Sequence, residues 1–450
     1  MQAARALRFS QTSSGAAPAQ IMQPSSPSEI AAILRNPRPF PAPVRPMGFG
    51  SSTTRCLSAP GGTLVDLSKM DRVLRLDDST VTVQPGIAIR ELAEILEADG
   101  LELHGGFDLA NRSVGGAVCA ASLEAAMGGC PSQFAAHVTG LKVVSPEGNR
   151  FSAKLGDKSL LGLVRLSYGL LGIVYEISLK VRPIQTFTVQ FARVGFEDFA
   201  KLASRLTFAS ASTKLYLMPF KNRVFLELRR PTTEEAPGRK FAWQLKDWAC
   251  YSALPTALRS LAKVVPIRRM RYPLSDTLSG ATQSLVSRSF VSTGSNSLEQ
   301  TGRFKNPGSK QGFSYCTWAF PAQDFGRVAC AYRALCLEHY ERTSFRCDMP
   351  AVVFRLNQDR SALLAPAFNE PMFTISSMTT EQDGWDDFIV DLAEFARTNN
   401  GVPFFNQTQG ATSDHAINCY SRRLTVFRNT RRKLDPNDRM LNHFFSSYMA

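Results

Sequence analysis

Three glycine clusters in the N-terminal part of the chain constrain its fold more than any other feature. They are Gly48-Phe49-Gly50-Ser51-Ser52-Thr53, Gly105-Gly106 with Ser113-Val114-Gly115-Gly116-Ala117, and Tyr168-Gly169-Leu170-Leu171-Gly172-Ile173-Val174. The first directly follows a short strand, Val44 to Pro46. Glycine reaches positive φ and lets backbones approach closely, so a run of amide N–H groups there can cup an anionic pyrophosphate. Ser51, Ser52 and Thr53 add hydroxyl donors. The loop is not a nucleoside-triphosphate P-loop, because the Lys after GxxxxG is missing, and not a Rossmann fingerprint, because no GxGxxG opens a helix. In the second cluster, adjacent glycines after a polar loop let the backbone lie against a flat ring system. The third is a tight turn entering a strand. Each alone is an ordinary turn; their order and separation make the combination specific.

Around these clusters, residues 20–183 read as short strands alternating with helices. Ser26 caps a helix that begins at Pro27-Ser28-Glu29-Ile30, where Pro suits the first turn and Glu29 the positive end. Leu64 to Leu67 and Val81 to Gln84 are strands, the latter closed by Pro85-Gly86. Ile89, Leu92, Ile95 and Leu96 recur at helical spacing, with Gly100 as the stop. Leu141 to Val144 and Arg150 to Ser152 form a hairpin about Pro146-Glu147-Gly148-Asn149, and Gly169 to Val181 leads into a strand that Pro183 ends. From about 185 strand-like stretches (Phe187 to Phe191, Lys214 to Leu217, Val224 to Leu228) alternate with helices (Phe196 to Leu206, Phe325 to His339, Trp385 to Thr398). That pattern predicts an antiparallel sheet with helices on one face, and an α+β class for the whole. The expected divisions are residues 1–185, 186–425 and a C-terminal segment 426–450 packing back toward the first, with 230–310 a poorly patterned, partly mobile insertion.

Composition bounds the function. The 450 residues are too many for one ordinary core, which favours two domains. A formal charge of +14 invites a nucleic-acid reading, but the basic residues are spread out and no nucleic-acid signature is present. The densest basic stretches, Lys263 to Arg271 and Arg422 to Lys433, suit an anionic cofactor, a phosphorylated substrate or an acidic membrane surface. Nine cysteines without a CxxC pair fit neither a metal site nor a disulfide scaffold, so reduced, buried thiols are expected and no metal. No apolar run spans a bilayer, and Met1 to Gln20 lacks the apolar core of a secretory signal, so a cytoplasmic location is expected.

Residues 20–183 resemble the FAD-binding domain of the vanillyl-alcohol oxidase superfamily, the PCMH type. The resemblance is carried in order by the Pro-Ser-Glu-Ile helix, RPMGFGSS, LVDLSKMDRVL, VTVQPGIAIREL, SVGGAV, VTGLKVVSPEGN and YGLLGIVYEISLKV. It implies that FAD is bound by Met47, Gly48, Phe49, Gly50, Ser51, Ser52, Thr53, Pro85, Gly86, Gly106, Ser113, Gly115, Gly116, Ala117, Ala121, Gly172, Ile173 and Val174. The Gly48–Thr53 loop would take the pyrophosphate, and Ile173 and Val174 would lie near the adenosine end. Many relatives carry a flavin-linked histidine where this chain has Ser51, so the FAD is expected to be non-covalent. The His-Gly pair common after the second cluster is replaced by Ala120-Ala121-Ser122-Leu123-Glu124.

The C-terminal half resembles the substrate-binding cap domain of the alditol, aldonolactone and decaprenylphosphoryl-ribose oxidase branch. The matching stretches are Phe313 to Pro321, Val352 to Leu356, Asn400 to Phe405 and Arg431 to Pro436. Alternation puts Tyr315 and Thr317 on one strand face, where relatives present polar groups to substrate, and pairs Arg355 with Val353. Arg355 occupies the position of a cation that stabilises reduced flavin in the relatives. Gln407 stands in place of their catalytic lysine, and an amide can orient a hydroxyl but cannot take its proton. Tyr315, His415 and Tyr420 are then the candidate bases. The resemblance implies an FAD-dependent oxidase or dehydrogenase taking a hydride from an alcohol-type C–H of a sugar-like, polyol-like or secondary-metabolite substrate to flavin N5, with oxygen or another electron acceptor. The alternatives are a tailoring enzyme for cyclisation or desaturation, favoured by the missing lysine, and a non-catalytic FAD-holding protein at a membrane surface.

Overall fold

A computed structural model of the chain describes residues 17–449 apart from 107, 110–111, 126–129, 208–210, 235–244, 247, 288–289 and 294–312. In the first domain β1 (Gln20–Met22), β2 (Val44–Met47) and β3 (Thr63–Asp66) form a parallel sheet in the order β1-β3-β2. A second sheet runs β4-β5-β9-β7-β8, built from Val73–Leu76, Thr80–Val83, Ile173–Pro183, Val138–Val144 and Arg150–Lys154, with β6 (Leu101–Leu103) pairing β9. Helix α1 (Pro27–Arg35) forms as its sequence dictates: Ser26 Oγ accepts from Glu29 N, Pro27 opens the first turn, and Ile30, Ala31, Ile33 and Leu34 are buried. Helices α2 (Ile89–Ala98), α3 (Val114–Cys119) and α4 (Lys158–Val164) complete this domain.

The second domain is an eight-stranded sheet ordered β13-β10-β12-β11-β15-β16-β14-β17. In chain order its strands are β10 (Thr186–Val194), β11 (Ser212–Met218), β12 (Arg223–Thr232), β13 (Phe290–Thr293), β14 (Ser314–Pro321), β15 (Ala351–Leu356), β16 (Met372–Thr379) and β17 (Val402–Pro403). Every pair in it is antiparallel. One face packs Leu215, Leu217, Trp318, Phe320, Val353 and Phe373 against Phe199 of α5 (Phe196–Thr207), Phe325 and Val328 of the helix Phe325–Thr343, and Phe388 and Leu392 of the helix Trp385–Thr398. The other face sends Tyr216, Phe225, Ala319, Val352 and Phe354 into one apolar cluster with Leu166, Tyr168 and Leu170 of the first domain. A sheet covered on both sides reads as continuous strand rather than clean alternation.

Between β12 and β13 lie a π-helical turn (Ala249–Ala253), α6 (Leu254–Val264) and α7 (Arg268–Val286). The described part of the stretch expected to be poorly patterned is therefore mostly helical. After α8 (Phe325–Thr343) and α9 (Trp385–Thr398), the chain closes with α10 (Ser413–Leu434) and α11 (His443–Met449). Arg439 between them donates to Leu34 O (3.1 Å) and Ile33 O (2.9 Å) at the end of α1, joining the chain's end to the first domain.

A buried charge network also joins the domains. Asp108 meets Lys214 Nζ at 3.2 Å and Arg229 Nη2 at 3.4 Å; Arg229 also pairs with Glu227 at 3.1 Å, and Lys246 pairs with Glu227. Burial alone would raise both carboxyls, but the adjoining cations outweigh it and hold Asp108 and Glu227 at about 2. A carboxyl depressed in the folded state stabilises the fold above the ordinary carboxylate range, and that contribution is lost as pH falls through the folded value. The urea midpoint should therefore drop steeply as pH falls below about 4 toward 2. Asp108→Asn should flatten that dependence; an unchanged profile would mean the network contributes nothing to acid sensitivity.

Candidate functional site

Two close approaches draw the glycine clusters together. Gly48, just after β2, lies so near Ser113 that a Cβ there would sit 2.1 Å from Ser113 Oγ. That hydroxyl accepts from Gly116 N (3.2 Å) as the cap of α3. Gly169, at φ +71°, rests on Pro46 of β2, where a Cβ would fall 2.5 Å from Pro46 Cγ. Only a residue without a side chain permits either contact.

The result is a cleft whose free space, counted together with the solvent at its open mouth, is about 780 Å³. Of the residues expected to hold a cofactor, Met47, Gly48, Phe49, Gly50, Ser51, Ser52, Pro85, Ser113, Gly115, Gly116, Gly172 and Val174 line it. Thr53, Gly86, Gly106, Ala117, Ala121 and Ile173 do not. Thr53 N instead donates to Asn406 O (3.0 Å), and Gly86 N to Met70 O (2.7 Å). Gly106 N donates to Glu124 Oε1 (2.6 Å). Ala117 and Ala121 are wholly buried in apolar clusters, and Ile173 packs beneath α1 with Ile30 and Val144.

Arg112 and Asn406, absent from the expected cofactor contacts, line the same cavity, as do Cys119 and Tyr168 at the head of the third glycine cluster. Arg112 matters most. Burial lowers its pKa, and its opposing electrostatic neighbours are Tyr315, Tyr168 and Cys56. Among the described residues no carboxylate pairs with it. Arg112 is half-buried at the cavity wall, and a partly desolvated guanidinium without a carboxylate favours an anionic ligand. Its one available signal was position, immediately before Ser113-Val114-Gly115-Gly116.

Several buried polar atoms nearby also lack partners. Asn406 Nδ2 donates to Ala121 O (3.0 Å), but its Oδ1 is unsatisfied, as is Thr53 Oγ1. Gln407 is fully buried with both amide atoms unsatisfied, while its backbone oxygen accepts from Thr317 N (3.1 Å). Orphans of this kind carry a desolvation cost that a bound polar group relieves. The glycine cradle, hydroxyl donors, lone guanidinium and orphaned amides together fit an anionic dinucleotide.

The cap residues divide. Tyr315 and Thr317 share the sheet face toward the first domain, with Thr317 Oγ1 and Ser376 Oγ 2.8 Å apart. Burial raises the Tyr315 hydroxyl pKa while Arg112 opposes the rise. Arg355 departs from the expectation. It pairs in register with Phe373, so alternation sets it on the helix-covered face, opposite Tyr315 and Thr317, and its Nη1 donates to Asn357 Oδ1. Tyr420 is wholly buried, stacks on Phe405 and donates to Pro403 O (2.6 Å), and burial drives its pKa far up. Its hydroxyl is structural. His415 stacks on Trp318 and places Nε2 2.8 Å from Gly401 O, lining a separate cleft with Arg397 and Arg423.

Residues 18–154, most of the first domain, match the family described as an FAD binding domain. The chain is 34% identical over 183 residues to the mitochondrial D-lactate dehydrogenase [cytochrome] of Arabidopsis thaliana, covering 38% of this chain and 32% of that protein. It is 25% identical over 230 residues to the L-gulono-1,4-lactone dehydrogenase of Mycobacterium tuberculosis H37Rv, covering 51% and 52%. The chain thus spans about a third to a half of the length of these curated relatives. In structure, a cholesterol oxidase from Brevibacterium sterolicum superposes with a TM-score of 0.75 at 11% identity, covering 96% of this chain and 94% of that one. The α+β architecture of a first domain with a sheet cap is therefore a fold this chain shares with that oxidase over nearly its whole length.

Proposed function

We propose that this protein is an FAD-dependent oxidoreductase that binds its cofactor without a covalent link and oxidises an alcohol-type C–H of a sugar-like, polyol-like or secondary-metabolite substrate. The observation that carries the reading is the glycine-lined cavity containing Arg112 with no carboxylate beside it among the described residues. FAD bound there would supply a two-electron acceptor for hydride. The amides and hydroxyls of Gly48 to Ser52 would hold its phosphates, and Arg112 would balance its negative charge. The relatives' names point to lactones and D-lactate as substrate classes to try first.

On the cap side, Tyr315 is the candidate for handling a proton, since the Arg112 cation opposes the rise that burial imposes on its hydroxyl. Gln407 can orient a hydroxyl but not deprotonate it. That replacement favours a second reading, a tailoring enzyme whose flavin supports cyclisation or desaturation.

Non-covalent attachment rests on the cavity wall. Ser51 lines it, no histidine does, and burial pushes the Cys119 thiol up to about 12, leaving it protonated at neutral pH. Acid precipitation of the purified yellow protein is expected to release all flavin into the supernatant, and colour kept in the pellet would refute this. For the activity, anaerobic addition of aldonolactones, polyols, polyprenyl-phosphate sugars and D-lactate should bleach the flavin with at least one class. Bleaching by none of them would leave the tailoring reading.

A further inference from the structure

Helix α7 is amphipathic in the inverted sense. Its buried positions are Arg271, Tyr272, Ser275, Ser279, Gln283 and Val286, a largely polar set. The opposite face, from Met270 through Pro273, Leu274, Thr277, Ala281 and Ser284 to Leu285, is exposed and carries no charged residue. At about 100° per residue these positions form one continuous stripe along the helix. The turn joining α6 to α7 continues it: Val264 is 79% exposed, Ile267 60%, Met270 62% and Leu274 50%. A contiguous apolar strip of this kind, unlike scattered surface apolar residues, marks an interaction surface.

Among the described residues, the charges of the hairpin that lack an ion-pair partner are all cations. Arg268 and Arg271 are tied to Glu381, and Arg268 also to Asp383, which fastens the hairpin to the body of the cap. The acid of α7, Asp276, faces Arg346 at 3.0 Å. Arg259, Lys263 and Arg269 remain, and among the described residues no carboxylate pairs with them. Cations flanking an uncharged apolar strip match the boundary between anionic headgroups and hydrocarbon, where an interfacial helix buries its apolar face and leaves its basic residues among the phosphates. No helix among the described residues is long and apolar enough to cross a membrane, so the contact would be peripheral.

We propose that the α6–α7 hairpin docks this protein onto an anionic lipid bilayer, with Val264, Ile267, Met270 and Leu274 entering the interface and Lys263, Arg269 and Arg259 meeting the headgroups. The overall charge of +14 favours the same approach. The proposal is independent of what the flavin site oxidises.

Co-sedimentation of the full chain with phosphatidylcholine vesicles containing or lacking phosphatidylglycerol tests it. Binding should require the anionic lipid and weaken with salt. The pair Lys263→Gln and Arg269→Gln should lower partitioning roughly 25-fold, at about five-fold per cation. Met270→Glu with Leu274→Glu should lower it at least tenfold. Flavin content and the thermal midpoint, read on the same samples, should stay unchanged, because these side chains face solvent. No binding to anionic vesicles would overturn the proposal. So would binding that ignores all four substitutions. A wild-type dimer in gel filtration that Met270→Glu dissociates would overturn it too, by assigning the stripe to a second copy of the chain.

Discussion

Arg112→Met is expected to weaken FAD binding by on the order of 100-fold or more while leaving the cofactor-free protein as stable as before, or more so. The opposite signs follow from one observation. Arg112 lines the cavity, and among the described residues no carboxylate pairs with it. In the cofactor-free protein that half-buried cation is partly desolvated at some cost, and replacing it with an apolar side chain of similar length removes the cost. In the loaded protein the same guanidinium meets an anionic ligand, and truncating one member of a buried charge pair costs about 2–5 kcal/mol. Flavin-fluorescence titration gives the affinity, and a melt of the cofactor-free protein gives the stability. Lost stability with unchanged affinity would make Arg112 a structural residue and remove the main electrostatic support for the site.

Arg45→Met should behave in the opposite way. Arg45 is wholly buried in β2 and donates to Met440 O (2.7 Å), Cys56 O (3.0 Å) and Tyr168 O (2.5 Å). It thereby ties the C-terminal segment, the short helical turn at Arg55–Leu57 and the third glycine cluster to the strand that enters the first. Burial lowers its pKa to about 10, and it remains a cation whose hydrogen bonds go to carbonyls. Removing it leaves Met440 O and Tyr168 O without their side-chain donor, while Cys56 O keeps only Asn442 Nδ2 (3.2 Å), a loss of roughly 3–5 kcal/mol. The expected fall in thermal midpoint is about 3–5 °C for a chain of this length. Because Cys56 and Tyr168 line the cavity, flavin should be lost as well, but here together with stability. Arg45→Lys keeps the charge without the fork and should recover only part of the loss. A midpoint within a degree of the parent would contradict this account.

The contrast between these two arginines shows where the sequence was legible. Local rules located elements well: Ser26-Pro27 opens α1, the apolar spacing of Trp385 to Thr398 is a helix with those bounds, and Val81 to Gln84 falls on Thr80–Val83. The glycine clusters pointed to the cavity because their close approaches are a backbone property that residue type encodes. What escaped were features set by tertiary placement. Nothing local distinguishes Arg112, which faces a cavity, from Arg45, which faces carbonyls. Alternation paired Arg355 with Val353, but which face of β15 looks toward the first domain was not encoded in that strand. Tyr420 carried a usable hydroxyl in the sequence and spends it on Pro403 O. The reading of 230–310 as poorly patterned failed at α7 for a physical reason: its apolar residues point outward and its polar ones inward.

Crystals of the protein grown with FAD provide the most direct test of the central claim. The account predicts density for the dinucleotide along Gly48 to Ser52 and Gly115-Gly116, with the Arg112 guanidinium in contact with an anionic atom of the cofactor and no continuous density from any side chain to the ring. Density for FAD elsewhere, or a cavity filled by protein side chains in crystals that contain stoichiometric flavin, would contradict it.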